Sequence, residues 1–136
     1  MGAKGWTIAM IRVAITEDHP DMRDALRMLL SQSKDIEVVY ETDNGQETVD
    51  SVKRIQPDVL VMAINIPGIN GFTATKQIAG LPVPTRVILI SLDNGSFIAR
   101  QAAEVGAQGF VAKEDAARQL LSAIKTVYQG ETYFLE

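Results

Sequence analysis

The stretch Asp58-Val59-Leu60-Val61-Met62-Ala63-Ile64-Asn65-Ile66-Pro67-Gly68 decides the fold. An apolar run of strand length leads into a Pro-Gly turn. A run apolar on both faces suits a strand of a parallel sheet covered by helices on each side. Working outward, Val13-Ala14-Ile15, Ile36 to Tyr40 and Val87 to Ile90 repeat the pattern, and Phe110-Val111 is a shorter fifth run. Helical stripes lie between them. Met22, Ala25, Leu26, Leu29 and Leu30 share one buried face, Val49, Val52 and Ile55 a thinner one, and Leu120, Leu121, Ile124, Val127 and Tyr128 a third. Asp43 or Asn44 can cap the second of these helices, and Gly130 can terminate the last. Spacing predicts two more helices, over 72–79 and 96–105. Five strands alternating with five helices predict a single doubly wound α/β domain, a parallel sheet with helices on both faces.

Composition narrows the chemistry. The chain has 136 residues, 13 Lys and Arg against 17 Asp and Glu, one His and no Cys. Without cysteine there is no thiol nucleophile, disulfide framework or Cys-ligated zinc, and one His excludes a multi-histidine metal site. A net charge of −4 argues against direct binding of a phosphate backbone by this chain. The apolar segment Trp6 to Ile15 is interrupted by Arg12 and falls far short of the ~20 residues of a membrane span. The prediction is a cytoplasmic protein with no membrane partner. Residues 1–10 read as an N-terminal extension or cloning remnant, residues 11–134 as the domain, and residues 135–136 as a tail or cloning scar.

In a doubly wound sheet, function collects at the carboxyl ends of the strands. Those ends carry Glu17-Asp18-His19-Pro20, Ala63-Ile64-Asn65, Ser91-Leu92-Asp93 and Lys113-Glu114. Hard carboxylate oxygens suit Mg²⁺, and an adjacent Lys suits a phosphoryl group. His19, before Pro20 at a helix start, reads as a capping or packing residue. The first loop lacks the Gly- and Ser/Thr-rich phosphate cradle of a flavodoxin. A Mg²⁺-dependent phosphotransferase would have Asp18 as its sole nucleophile candidate.

These segments, with Val87-Ile-Leu-Ile-Ser91, Ala103-Glu-Val-Gly106-Ala107-Gln-Gly109-Phe110-Val-Ala-Lys113 and Gly130-Glu-Thr-Tyr, resemble the response-regulator receiver domain of two-component signalling. The resemblance is to the subfamily whose receivers precede a helix-turn-helix DNA-binding domain, and it runs from Ile11 to Phe134, 124 of the 136 residues. It implies the flavodoxin-like receiver fold with strand order 2-1-3-4-5, a signalling module rather than an enzyme, and Mg²⁺ as cofactor. It implies a sensor histidine kinase as partner, pairing of receivers into a homodimer, and nucleic acid contact only through a DNA-binding domain absent from this chain. By the same resemblance Asp18 ligates Mg²⁺ directly, Glu17 acts through water, and Asn65 offers its backbone carbonyl. Ser91 and Lys113 contact the phosphoryl group, and Phe110 is the switch aromatic.

One position departs from the pattern. The phosphoacceptor aspartate is expected five residues after Asp58 and four before Pro67, and both counts land on Ala63. A methyl group neither attacks a phosphoryl donor nor ligates a metal, so phosphorylation there is expected to be lost and Mg²⁺ binding weakened. Asp58 is no substitute, since it stands at the far end of the strand, roughly 16 Å away at ~3.3 Å per residue. Two readings follow: an engineered inactive variant of a transcriptional regulator's receiver, or a natural phosphorylation-independent pseudo-receiver acting as a protein-interaction module.

Overall fold

Every residue of Val59–Ala63, strand β3, is buried, as its unbroken apolar run predicts. In the computed structural model, which describes residues 10–134, this strand lies inside a wholly parallel sheet. The readings of residues 1–9 and 135–136 fall outside the described residues. The elements follow as β1 (Ile11–Thr16), α1 (Pro20–Ser31), β2 (Ile36–Thr42), α2 (Gly45–Ile55), β3, α3 (Gly71–Ala79), β4 (Arg86–Ser91), α4 (Ser96–Glu104), β5 (Gly109–Ala112), a 3₁₀ turn (Lys113–Asp115), α5 (Ala116–Tyr128) and β6 (Tyr133–Phe134). The spatial order is β2-β1-β3-β4-β5-β6. Five helices alternate with the first five strands as expected.

The sixth strand is an addition to the expected five. Its two residues pair with Gly109 and Phe110, and the Tyr133 amide donates to the Gln108 carbonyl at 2.9 Å. Glycine at 109 admits this approach, because a Cβ there would stand 3.2 Å from the Tyr133 carbonyl oxygen. Two apolar residues are too short a run to read as a strand. The edge position also changes β2, where only Ile36 and Thr42 are buried. Its register shifts at a bulge between Val13 and Ala14, so Val38 and Tyr40 flank an unpaired Val39.

The helical stripes are narrower than the sequence suggests. Leu26 and Leu30 anchor α1, with Met22 and Leu29 at its margin, whereas Ala25 is exposed off the stripe's edge. In α5 the core is Leu120, Ile124 and Val127 together with Ala116 and Ala123, while Tyr128 ends the helix in solvent. Asn44, of the two candidates, caps α2, its side chain accepting the Glu47 amide at 3.0 Å. Gly130 follows α5 with φ +99, a left-handed geometry suited to glycine.

Arg12, the interruption in the first apolar run, ties two elements together. Its guanidinium donates to the carbonyls of Gln56 (2.9 Å) and Ile55 (3.1 Å), at the end of α2 where a cation is favoured. The Arg12 amide donates to Asp58 Oδ2 at 2.8 Å. Asp58 therefore serves the amino edge of the sheet, opposite the end occupied by Ala63.

At that other end, Gly71 opens α3 directly against β3. Its amide donates to the Ile64 carbonyl at 2.7 Å. A Cβ at 71 would lie 2.5 Å from the Ala63 carbonyl oxygen and 2.8 Å from Ile64 Cα. Both are backbone atoms that cannot swing aside. Gly71→Ala is expected to destabilise the chain by about 2 kcal/mol or more, an overpacking cost, read as a lower urea midpoint at unchanged m-value. An unchanged midpoint would show that α3 does not depend on this contact.

Candidate functional site

Parallel pairing brings the carboxyl ends of β1, β3, β4 and β5 to one edge, where their loops enclose a cleft of about 470 Å³. Glu17, Asp18, Asn65, Ser91 and Lys113 all line it, with His19, Ile64, Ile90, Leu92 and Asp93. Five residues predicted from four strand ends thus meet in one place. Ala63 and Phe110 do not line the cleft. Ala63 lies beneath it, 1% exposed, with its strand paired to Ile90 of β4. Phe110 is buried in β5, in register with Leu89 on one side and Phe134 on the other.

The two acids differ sharply. Glu17 follows β1 directly and is fully buried, whereas Asp18 is exposed. Glu17 Oε2 accepts the His19 amide at 3.1 Å, and the Lys113 ammonium stands 2.8 Å from Oε1. This ion pair falls short of hydrogen-bond geometry, and Oε1 has no other partner. Asp18 makes no ion pair among the described residues. His19 caps α1 as read from the sequence, its Nδ1 accepting the Met22 amide over a long 3.4 Å, and it also walls the cleft.

Ser91 ends β4 nearly buried, and its Oγ accepts the Asp93 amide at 3.0 Å. That bond uses an oxygen lone pair and leaves the hydroxyl proton available to an acceptor in the cleft. Asn65 is exposed in the turn after β3, held from below by the Ile64 amide, which donates to the Ile90 carbonyl at 3.1 Å.

Sequence reading missed Arg23. Its guanidinium reaches back from α1 to the Glu17 carbonyl at 2.7 Å and fixes the chain at the cleft's acidic corner. Only its spacing of six residues from Glu17, across a helix start, hints at this. The same guanidinium lies 3.8 Å from Glu41 on β2, which also takes a 2.8 Å ion pair from Arg27.

A divalent cation finds a poor donor set. Mg²⁺ demands near-octahedral oxygen coordination. Among the described residues no three acidic or histidine side chains are grouped to hold a metal. Of the two acids at the end of β1, one is already neutralised by Lys113. The residues present therefore do not fit a tightly held cation.

The model of the "Response regulator receiver domain" family matches residues 13–125. The Fimbriae Z protein of Salmonella typhimurium is 30% identical over 122 residues, which are 90% of this chain and 58% of that protein. The transcriptional regulatory protein DegU of Brevibacillus brevis is 31% identical over 123 residues, again 90% of this chain but 52% of the relative. The chain thus spans little more than half the length of these relatives. Among solved structures, the signal receiver domain of NarL from Mycobacterium tuberculosis superposes with a TM-score of 0.86 at 31% identity, covering 90% of this chain and 99% of that one. A two-component response regulator of the LuxR family from Aurantimonas gives 0.87 at 29% identity, covering 92% and 89%. No described helix is long and apolar enough to cross a membrane. With the family's model matched over most of its length, and its strand ends gathered into one cleft, this chain belongs to the response regulator receiver domain family of two-component signalling.

Proposed function

We propose that the chain is the receiver of a transcription regulator, standing before a helix-turn-helix domain in a longer protein, with Ala63 at the phosphoacceptor position. One observation carries this reading: Glu17, Asp18, Asn65, Ser91 and Lys113 converge on a single cleft, and Ala63 ends the strand beneath it. The names of the curated relatives, a transcriptional regulatory protein and a response regulator among them, support the regulatory output.

In this reading Ser91 donates its hydroxyl proton to a phosphoryl oxygen, and Lys113 pairs with a second oxygen. Glu17, Asp18 and the Asn65 carbonyl form an acidic corner that would hold the family's Mg²⁺ only when completed by a carboxylate at position 63. Phe110 serves as the aromatic whose position follows Ser91. The nucleophile alone is missing. Phosphoryl transfer in such a site rests on positioning and charge neutralisation rather than on elaborate covalent chemistry, so a complete surround without its carboxylate is inert. The partners assigned are a sensor histidine kinase, a second copy of the chain, and DNA only through another domain. The compartment assigned is the cytoplasm.

An alanine in an otherwise complete surround favours a substitution made to hold the unphosphorylated state. A receiver that had naturally abandoned phosphorylation would be under no pressure to keep both Asp18 and Lys113. The alternative, a natural pseudo-receiver that works by binding partners, makes the opposite prediction for restoration of the carboxylate.

Two measurements follow. With acetyl phosphate and Mg²⁺, the Ala63→Asp variant is expected to gain one phosphoryl group by intact mass, and the present chain none. Adding Lys113→Ala to Ala63→Asp is expected to slow the uptake by about tenfold or more, since the developing charge loses its partner. An Ala63→Asp protein that stays unmodified and ignores beryllofluoride would favour the pseudo-receiver.

The second measurement is thermal. Ala63→Asp places another carboxylate beside Glu17 and Asp18, and like charges in one cleft repel. In metal-free buffer the variant is expected to melt below the present chain by a few degrees, roughly 1 kcal/mol of stability. Mg²⁺ is expected to close the gap. Equal melting temperatures in both buffers would remove the charge-crowding argument.

A further inference from the structure

The sequence holds three Asn-Gly pairs, at 44–45, 70–71 and 94–95. In such a pair the glycine nitrogen can attack the asparagine side-chain carbonyl, because no Cβ shields it. The N–Cγ bond forms, and the side-chain nitrogen leaves as ammonia, carrying off the glycine's proton. Water then opens the succinimide to aspartate or isoaspartate. Attack needs the reacting atoms brought together, so a backbone held elsewhere blocks it. Two of the pairs are held in this way. Asn44 and Asn70 cap α2 and α3, their Oδ1 atoms accepting the Glu47 and Thr73 amides at 3.0 and 2.9 Å. Gly45 and Gly71 are buried, and their amides donate to the carbonyls of Pro67 and Ile64. Each glycine also lies against backbone, Gly45 against Ile69 and Gly71 against Ala63.

The third pair has none of these restraints. Asn94 and Gly95 are exposed in the loop between β4 and α4. Among the described residues the Gly95 amide donates to no acceptor, and a Cβ at 95 would meet nothing within 4 Å. The Asn94 side chain makes one hydrogen bond, its Nδ2 donating to Glu114 Oε1 at 3.1 Å. That bond clasps the loop, whose Leu92 and Asp93 wall the cleft, to the turn after β5. We propose that Asn94 is a self-modifying site, the Asn-Gly pair of the three that the folded chain leaves free to deamidate, and that its product opens the clasp to Glu114. A carboxylate at 94 cannot donate to Glu114 and repels it. The same negative charge suits the amino end of α4, so the helix start is kept while the loop is released. The reaction consumes only water and the chain's own atoms.

The test incubates the present chain in warm, mildly alkaline buffer and follows each Asn-Gly peptide by digestion and mass spectrometry. Each conversion adds about 1 Da, and chromatography separates aspartate from isoaspartate. Conversion at 94, to a mixture of both products, is expected to run about tenfold faster or more than at 44 and 70. In concentrated urea the three pairs are expected to convert at rates within about threefold of one another, since the fold then holds none of them. Gly95→Ala places its methyl in open space, so the fold is unaffected. It is expected to slow conversion at 94 by about tenfold or more and to leave 44 and 70 unchanged. Equal rates at the three pairs of the folded chain would overturn the site, as would conversion at 94 that ignores Gly95→Ala. Hydrogen exchange reads the consequence. Asn94→Asp is expected to speed amide exchange over residues 92–97 by about threefold or more. Combining it with Glu114→Gln, which restores a donor opposite the new carboxylate, is expected to return exchange to that of the present chain. Exchange unchanged by Asn94→Asp would show that Glu114 does not hold the loop.

Discussion

Strand β3 is the constraint on which the rest of the structure depends. It sits between β1 and β4, pairing with both in parallel, and none of its five residues is more than 1% exposed. A strand apolar on both faces cannot stand at a surface, so helices must cover both sides of the sheet. Parallel neighbours in turn require crossover connections, which the helices supply. The same geometry carries every carboxyl terminus to one edge. Glu17, Asn65, Ser91 and Lys113 are scattered over nearly a hundred residues of chain, yet each lies within two residues of the end of a strand. Their meeting is a consequence of the sheet's direction rather than of any contact among themselves.

What was legible in the sequence follows the strength of the periodic signal. Buried central strands announce themselves as unbroken apolar runs, and β1, β3 and β4 lie where those runs stand. Capping residues were equally clear where a side chain had one role, as with Asn44. The signal fails at edges. The run of Ile36 to Tyr40 suggested a strand covered on both faces, but β2 has a neighbour on one side only and its middle is half-buried. β6 is two residues long and forms because β5 offers an unpaired edge with a glycine at 109, a fact about the partner strand. Ala25 and Tyr128 fit their helical stripes by spacing, but a stripe's width depends on how the helix is tilted onto the sheet.

The cleft shows the same division. Which residues gather could be read from their places at strand ends, since topology decides it. How their charges are shared could not. Glu17 and Asp18 are adjacent acids in the sequence, yet one is sealed from water and the other exposed. Adjacent residues of an extended chain project to opposite sides, so a pair leaving a strand divides between interior and surface. The choice of Lys113 as partner for the buried member likewise depends on the path of the 3₁₀ turn after β5.

Alanine at 63 adds no charge to this arrangement, and the frame that holds it does not depend on the side chain there. The residue closes β3 through backbone pairing with Ile90, and those hydrogen bonds are indifferent to the side chain. Gly71 packs against the Ala63 carbonyl, not its methyl. Both contacts would be made by any residue that tolerates strand geometry, so fold and charge distribution are separable at this position. The lysine is the element able to respond, being a flexible stem with a point charge at its end. With no carboxylate at 63, the acid within its reach is Glu17, which has no solvent to fall back on. The burial of Glu17 therefore decides where Lys113 goes. A cleft assembled by topology thus settles its own charge balance by which acid can least tolerate being left alone.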